Sequence, residues 1–154
     1  MTGSERAGAA VAAVAGRNLK KVALELGGSD PFIVLSAENL DEVVQAAIDA
    51  RLDNNGQSCN GAKRFIVVDG LYDEFAQKFT AGLAAVSAQD PTQEDTVLGP
   101  LSSEIAAERL QEQVDRAVAQ GAALLTGGSR GGALVAPTLL ADVTSGLGGY
   151  GEEL

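Results

Sequence analysis

The sequence contains no histidine and no tryptophan, and only one cysteine and one methionine among 154 residues. Without histidine there is no Ser-His-Asp triad, no Cys-His dyad and no imidazole metal ligand. One cysteine excludes an internal disulfide and a cysteine-rich zinc site, so no metal is expected. Aromatic residues are scarce at 4%, which leaves Ala, Val, Leu and Ile to build the core. Basic residues are also scarce: 11 Lys and Arg stand against 21 Asp and Glu, a formal charge of -10. That balance argues against a broad phosphate-binding face, and no nucleic-acid partner is expected. No apolar run approaches the roughly 18 residues that span a bilayer. Residues 1–17 lack the basic start and leucine-rich stretch of a secretory signal. A cytoplasmic domain without a membrane partner is therefore expected, its lone thiol suited to a reducing compartment. Its chemistry must use carboxylates, hydroxyls, lysines or that thiol.

What is present has a clear order. Residues 1–28 carry a charge of +2 and residues 29–154 a charge of -12, so the composition changes near Gly27-Gly28. Ser4 to Ala15 is rich in Ala and Val and reads as a helix capped by Ser4 and ended by Gly16. Val22–Leu26 is a short apolar segment. Pro31–Leu35 is a continuous apolar run, the pattern of a strand buried on both faces. Leu40–Leu52 and Leu71–Val86 repeat apolar residues at helical spacing. Phe65–Val68 and Ala122–Leu125 read as short strands. Ser102 or Ser103 caps a helix that Gly121 stops. Val135–Leu140 contains Pro137, which suits an edge strand or an extended loop. Helices linking short apolar strands predict an α/β fold with a mainly parallel sheet. The first helix has no preceding strand to pack on, and Glu152-Glu153-Leu154 follows a glycine-rich loop. Both ends read as incomplete.

Two segments carry chemistry. In Asn54-Asn55-Gly56-Gln57-Ser58-Cys59-Asn60-Gly61 the thiol follows a glycine turn and precedes a stretch that could be helical. A thiol at a helix N-terminus, with Lys63 and Arg64 near it, has its thiolate form stabilised. Taken alone, a single cysteine is more simply a small core residue; the polar residues around it weaken that reading. In Leu24-Glu25-Leu26-Gly27-Gly28 a carboxylate interrupts an apolar run, and burial there would suit it to act as a base. Taken alone, it is more simply a partly exposed residue at a strand end. The two positions lie 34 residues apart with one strand and one helix between them. A strand–helix–turn unit can return the chain to one edge of a sheet, where sites of such folds gather.

Glu25-Leu26-Gly27-Gly28 and Asn55-Gly56-Gln57-Ser58-Cys59 at this separation resemble the glutamate and cysteine signatures of the aldehyde dehydrogenase superfamily. Leu98-Gly99-Pro100-Leu101, Ala136-Pro137-Thr138-Leu139 and Glu152-Glu153-Leu154 resemble further motifs of that family. Thr2-Gly3-Ser4 resembles the turn after one of its nucleotide-domain strands. Glu25–Val34, with Ser29-Asp30-Pro31, is most similar to the succinate-semialdehyde dehydrogenases.

The resemblance implies a three-layer catalytic domain and oxidation of an aldehyde to the acid with NAD or NADP. It makes Cys59 the nucleophile and Glu25 the base that activates water to hydrolyse a thioester. The Cys59 backbone N–H becomes half of an oxyanion hole. Gly3 and Ser4 match positions near the cofactor pyrophosphate, Leu26 and Gly27 lie beside the nicotinamide, and Glu153 matches the glutamate that holds its ribose. Gly99 and Pro100 take a structural role. Residues 1–24 are then the last helix and linker of a nucleotide-binding domain, and residues 25–154 a catalytic domain lacking its C-terminal part. The chain would be about a third of a subunit and, by itself, inactive or nearly so. The alternative is a non-catalytic partner associating with a full-length subunit or with another copy. A third reading, acyl transfer to coenzyme A, is disfavoured by Glu25.

Overall fold

The computed structural model describes residues 1–154. Its elements, in chain order, are α1 (Glu5–Arg17), β1 (Asp30–Val34), α2 (Leu40–Leu52), a 3-10 turn (Asp53–Gly56), β2 (Ala62–Val67), α3 (Asp69–Ala84), α4 (Glu104–Ala119), β3 (Ala123–Thr126), β4 (Arg130–Gly131), β5 (Leu134–Val135) and β6 (Leu139–Ala141). The α/β alternation is as expected. Parallel pairing holds for β1 and β2, which run in register from Phe32 opposite Phe65 to Val34 opposite Val67. The β3–β6 and β4–β5 pairs are antiparallel. A hairpin turn joins β4 to β5, and a short connection of this kind permits only antiparallel pairing.

Helix ends follow local chemistry. Ser4 Oγ accepts from the Ala7 amide and Ser103 Oγ from the Ala106 amide, each satisfying a donor that helix geometry leaves unpaired. α1 runs through Gly16 to Arg17, so Gly16 does not end it; Asn18 caps it by donating to the Val14 carbonyl. α4 stops before Gly121, whose φ of 112° lies where residues with a Cβ rarely go. Val22–Leu26 forms no strand; within it only Glu25 makes an isolated bridge, to Thr2.

The core lies between the parallel pair and the helices α2 and α3. Val34, Val44, Ala47, Ile48, Phe75, Phe79 and Leu83 form one buried cluster. The four phenylalanines gather there: the Phe79 ring centroid is 4.5 Å from Phe65 and 5.3 Å from Phe75, and Phe32 is 5.6 Å from Phe65. α2 and α3 approach closely because Gly82 has no side chain; a Cβ there would run into the Ile48 Cδ1 methyl. We expect Gly82→Leu to lower the thermal midpoint, since a bulky side chain forced into this close helix contact overpacks it at a cost of about 1–3 kcal/mol. An unchanged melting curve by circular dichroism would contradict that packing.

The two-sided burial expected of Pro31–Leu35 is not seen. Val34 is buried, whereas Ile33 is 55% exposed and Ile66, its partner on β2, 49%. A two-stranded sheet with helices packed on one face leaves its other face open. α1 is likewise open, with Gly8 its only buried residue, packed on Leu26.

Candidate active site

The parallel pairing of β1 and β2 decides which residues meet. Asp30 at the start of β1 stands opposite Ala62 at the start of β2. Glu25-Leu26-Gly27-Gly28 leads into the first strand and Ser58-Cys59-Asn60-Gly61 into the second. Parallel neighbours place their N-terminal ends side by side, so segments far apart in sequence converge. The convergence is at the strands' starting edge, not at the carboxyl edge that open α/β sheets generally use. A Cβ on Gly28 would overlap the Cys59 carbonyl oxygen, so backbone approaches backbone where only glycine fits. Arg64 closes the same edge from β2, its Nε donating to the Ser29 carbonyl at 2.9 Å.

Cys59 is exposed on a tight turn, closed by the Gly61 amide donating to the Ser58 carbonyl at 3.0 Å. No helix follows it: β2 begins at Ala62, because Phe65-Ile66-Val67 gain more from pairing with β1 than from helical local contacts. Helix-dipole stabilisation of the thiolate therefore does not apply. The cation near the turn is Lys63, whose Nζ donates to the carbonyls of Ser58 at 2.7 Å and Gly61 at 3.3 Å.

The loop before the cysteine is clamped from the far side. Asn54 and Asn55 both take left-handed backbone, at φ 49° and 58°. This turns the Asn55 amide onto the Leu98-Gly99-Pro100 segment. Its Oδ1 accepts from the Gly99 amide at 2.7 Å and its Nδ2 donates to the Pro100 carbonyl at 3.2 Å. Gln57 Oε1 accepts from the Ser102 amide at 2.8 Å. Gly99 and Pro100 thus buttress the cysteine loop. Sequence reasoning did not find the anchoring roles of Asn55 and Gln57; the signal was the Asn-Asn-Gly run, which favours left-handed turns.

Glu25 is bound by its backbone: its amide donates to the Met1 carbonyl at 2.9 Å, and its carbonyl accepts from the Gly3 amide at 3.1 Å. Glu25 is exposed, as its simpler reading at the end of the segment had it, and the alternative of burial is not realised. Gly3 thereby joins Glu25, Ser4 caps α1, and Leu26 packs on Gly8. Glu153 comes in from the other end of the chain. A Cβ on Gly27 would overlap the Glu153 carboxylate, and that carboxylate pairs with Lys63 Nζ at 3.7 Å. Three side chains dock the segment carrying it. Arg51 donates to the Leu154 carbonyl, Gln113 to the Glu153 carbonyl, and Arg116 pairs with Glu152. The hydrogen bond from Gln113, with the Arg116 charge adding to it, holds the Glu152 carboxyl below the ordinary carboxylate range.

Direct contacts thus link Gly3 to Glu25, Gly27 to Glu153 and Gly28 to Cys59, with Ser4 and Leu26 beside them along the chain. Cys59 and Glu25 are both exposed.

The pattern of the aldehyde dehydrogenase family matches residues 1–154. The chain is 56% identical to the NADP(+) succinate-semialdehyde dehydrogenase of Deinococcus radiodurans over 157 aligned residues, covering 100% of this chain and 33% of that protein. It is 46% identical to the Mycobacterium leprae protein of the same name, covering 100% of this chain and 34% of that one. Its fold superimposes on the Streptococcus pyogenes succinic semialdehyde dehydrogenase, solved with NADP+, with a TM-score of 0.92 and 41% identity, covering 99% of this chain and 34% of that one. The same TM-score of 0.92, with 41% identity over 99% of this chain and 32% of the other, relates it to Physcomitrella patens aldehyde dehydrogenase 21 bound to its product succinate. The chain spans about a third of the length of the curated relatives it matches. With every residue of the chain inside the family pattern and the signature residues gathered at one sheet edge, the chain belongs to the aldehyde dehydrogenase family.

Proposed function

We propose that this chain supplies the thiol-bearing part of an NADP-dependent aldehyde dehydrogenase that oxidises succinate semialdehyde to succinate. The observation that carries the reading is the convergence of Glu25–Gly28 on the Cys59 turn through β1–β2 pairing. Residues 1–24 belong in this reading to the nucleotide-binding side and residues 25–154 to the catalytic side. The names of the relatives supply the substrate and the preference for NADP over NAD.

Cys59 Sγ, as thiolate, adds to the aldehyde carbon to form a thiohemiacetal, while its backbone N–H donates to the developing oxyanion. Loss of hydride from that carbon leaves a thioester on Cys59. Glu25 takes a proton from water, the resulting hydroxide adds to the thioester carbonyl, and the thiolate leaves as the acid forms. The exposure of both residues lets substrate and water reach them. The residues present fit a dinucleotide. Ser4 opens α1, where unpaired amides favour phosphate. Glu153 is half exposed beside a glycine that leaves room for its carboxylate. Gly3 and Ser4 would hold the pyrophosphate, Leu26 and Gly27 would line the nicotinamide, and Glu153 would accept from ribose hydroxyls. The bound nicotinamide supplies the hydride acceptor. An exposed nucleophilic thiol stays reduced in the cytoplasm, the setting we assign it. No helix is long and apolar enough to cross a membrane.

The test is a chimera in which this chain replaces the matching third of the Deinococcus radiodurans enzyme. NADPH formation from succinate semialdehyde is expected, and a folded chimera without turnover would overturn the reading. The chain alone, about a third of the relatives' length, is expected to turn over at least about a hundredfold more slowly than the chimera; equal rates would contradict this.

A second reading is association with another aldehyde dehydrogenase polypeptide. A cavity of about 630 Å³ beneath β2, α3 and β6, lined largely by apolar residues such as Phe65, Leu98 and Leu139, favours it. Co-purification with a family subunit would support that reading, and a stable lone monomer would count against it.

A further inference from the structure

We propose that Lys63 is a positioning residue that couples the Glu153 carboxylate to the turn presenting Cys59. Its side chain is 3% exposed although it carries a full charge. A buried ammonium is tolerated only where acceptors surround it. Lys63 Nζ has two within hydrogen-bond distance, the Ser58 carbonyl at 2.7 Å and the Gly61 carbonyl at 3.3 Å, and an ion-pair partner, Glu153 Oε1, at 3.7 Å. Ser58 and Gly61 are the first and last residues of the cysteine turn, so one cation pins both of its ends. The third partner stands at Gly27 on the neighbouring segment.

Neighbouring residues on a strand point to opposite faces, and Arg64 accordingly turns outward to the Ser29 carbonyl. Only Lys63 reaches both the turn and Glu153. A ligand hydroxyl that draws on the Glu153 carboxylate weakens its hold on the ammonium, and the ammonium then bears more fully on the Ser58 and Gly61 carbonyls. Occupancy at Glu153 is thereby felt at the thiol through one side chain. This inference rests on the reading of Cys59 as nucleophile and Glu153 as cofactor ligand, but its test requires neither aldehyde nor cofactor.

Cys59 is the only cysteine, so iodoacetamide reports on that turn alone. Its alkylation rate in the full chain is followed by intact mass across about pH 6 to 10, where thiols titrate. Lys63→Met is expected to lower the rate roughly tenfold through loss of the clamp on the turn that presents the thiol. Lys63→Arg, which keeps the charge, is expected to recover most of it. Glu153→Gln is expected to change the rate by about twofold or more in the parent chain and to change nothing in the Lys63→Met background; such non-additivity marks direct coupling. A lysine that merely filled space would lower the melting temperature without that coupling. The inference is overturned if Lys63→Met alkylates within twofold of the parent, or if Glu153→Gln acts equally in both backgrounds. Should Lys63→Met lose its native circular dichroism, Lys63→Gln takes its place under the same criteria. A dehydrogenase assay of the chimera that failed while this coupling held would reject the substrate reading and leave the role of Lys63 standing.

Discussion

Cys59→Ser in the chimeric enzyme is expected to abolish NADPH formation, with a loss of roughly 10⁴-fold or more in kcat. A serine hydroxyl is a far weaker nucleophile than a thiolate, and this chain supplies no histidine to activate it. The same substitution leaves the fold almost untouched. The structure uses the backbone of Cys59, not its sulfur: the carbonyl packs on Gly28 and the turn closes between Ser58 and Gly61. An exposed side chain without packing partners changes stability by about 0.5 kcal/mol or less. Unchanged melting with vanished activity is therefore the expected pair of results. Residual activity within tenfold of the parent would remove Cys59 from the mechanism. Glu25→Gln separates the two half-reactions: one rapid turnover of NADPH followed by slow release identifies Glu25 as the base of hydrolysis, whereas unaltered steady-state release would take that role from it.

Phe79→Ala is expected to cost about 3–5 kcal/mol of stability, the usual range for emptying a core aromatic site. Phe79 is 1% exposed and joins α3 to β2 through Phe65 at 4.5 Å and to its own helix through Phe75 at 5.3 Å. A domain of this size has a total stability of about 5–15 kcal/mol, so one such loss removes a large share of it. At about 2–4 °C per kcal/mol, the melting midpoint should fall by roughly 6–20 °C. Tyr72→Ala on the same helix is the control, since Tyr72 is 41% exposed. Thermal unfolding by circular dichroism compares them, and equal shifts would mean that the aromatic cluster does not hold the fold.

The stripe Phe75, Phe79 and Leu83 was legible because helical spacing puts residues 75, 79 and 83 on one face, and all three are buried. Ser4 and Ser103 were legible as caps for a similar reason: a capping hydroxyl acts on amides a few residues away. The exposure of Glu25 was legible only as the simpler of two readings. Its apolar neighbours also allowed burial, and burial depends on which segments pack on a stretch: α1 packs on Leu26 and leaves Glu25 exposed. The antiparallel partners of the third strand were equally hidden, because β6 returns to β3 only after the β4–β5 hairpin has reversed the chain.

The amino-acid sequence by itself determined the chemical inventory and the local conformations. It set a single thiol with no histidine, the helix caps, the left-handed Asn-Asn-Gly turn and the signature segments of an aldehyde dehydrogenase. Such features depend on residues a few positions apart, and short-range sterics and hydrogen bonding suffice to specify them. Tertiary structure alone decided that Glu25–Gly28 and Cys59 share one edge, that this is the starting edge of the strands, and that Lys63 joins the cysteine turn to Glu153. Those contacts span tens of residues. They exist because burying the phenylalanine cluster between the parallel pair and two helices draws the starts of β1 and β2 together, a gain no local segment can register.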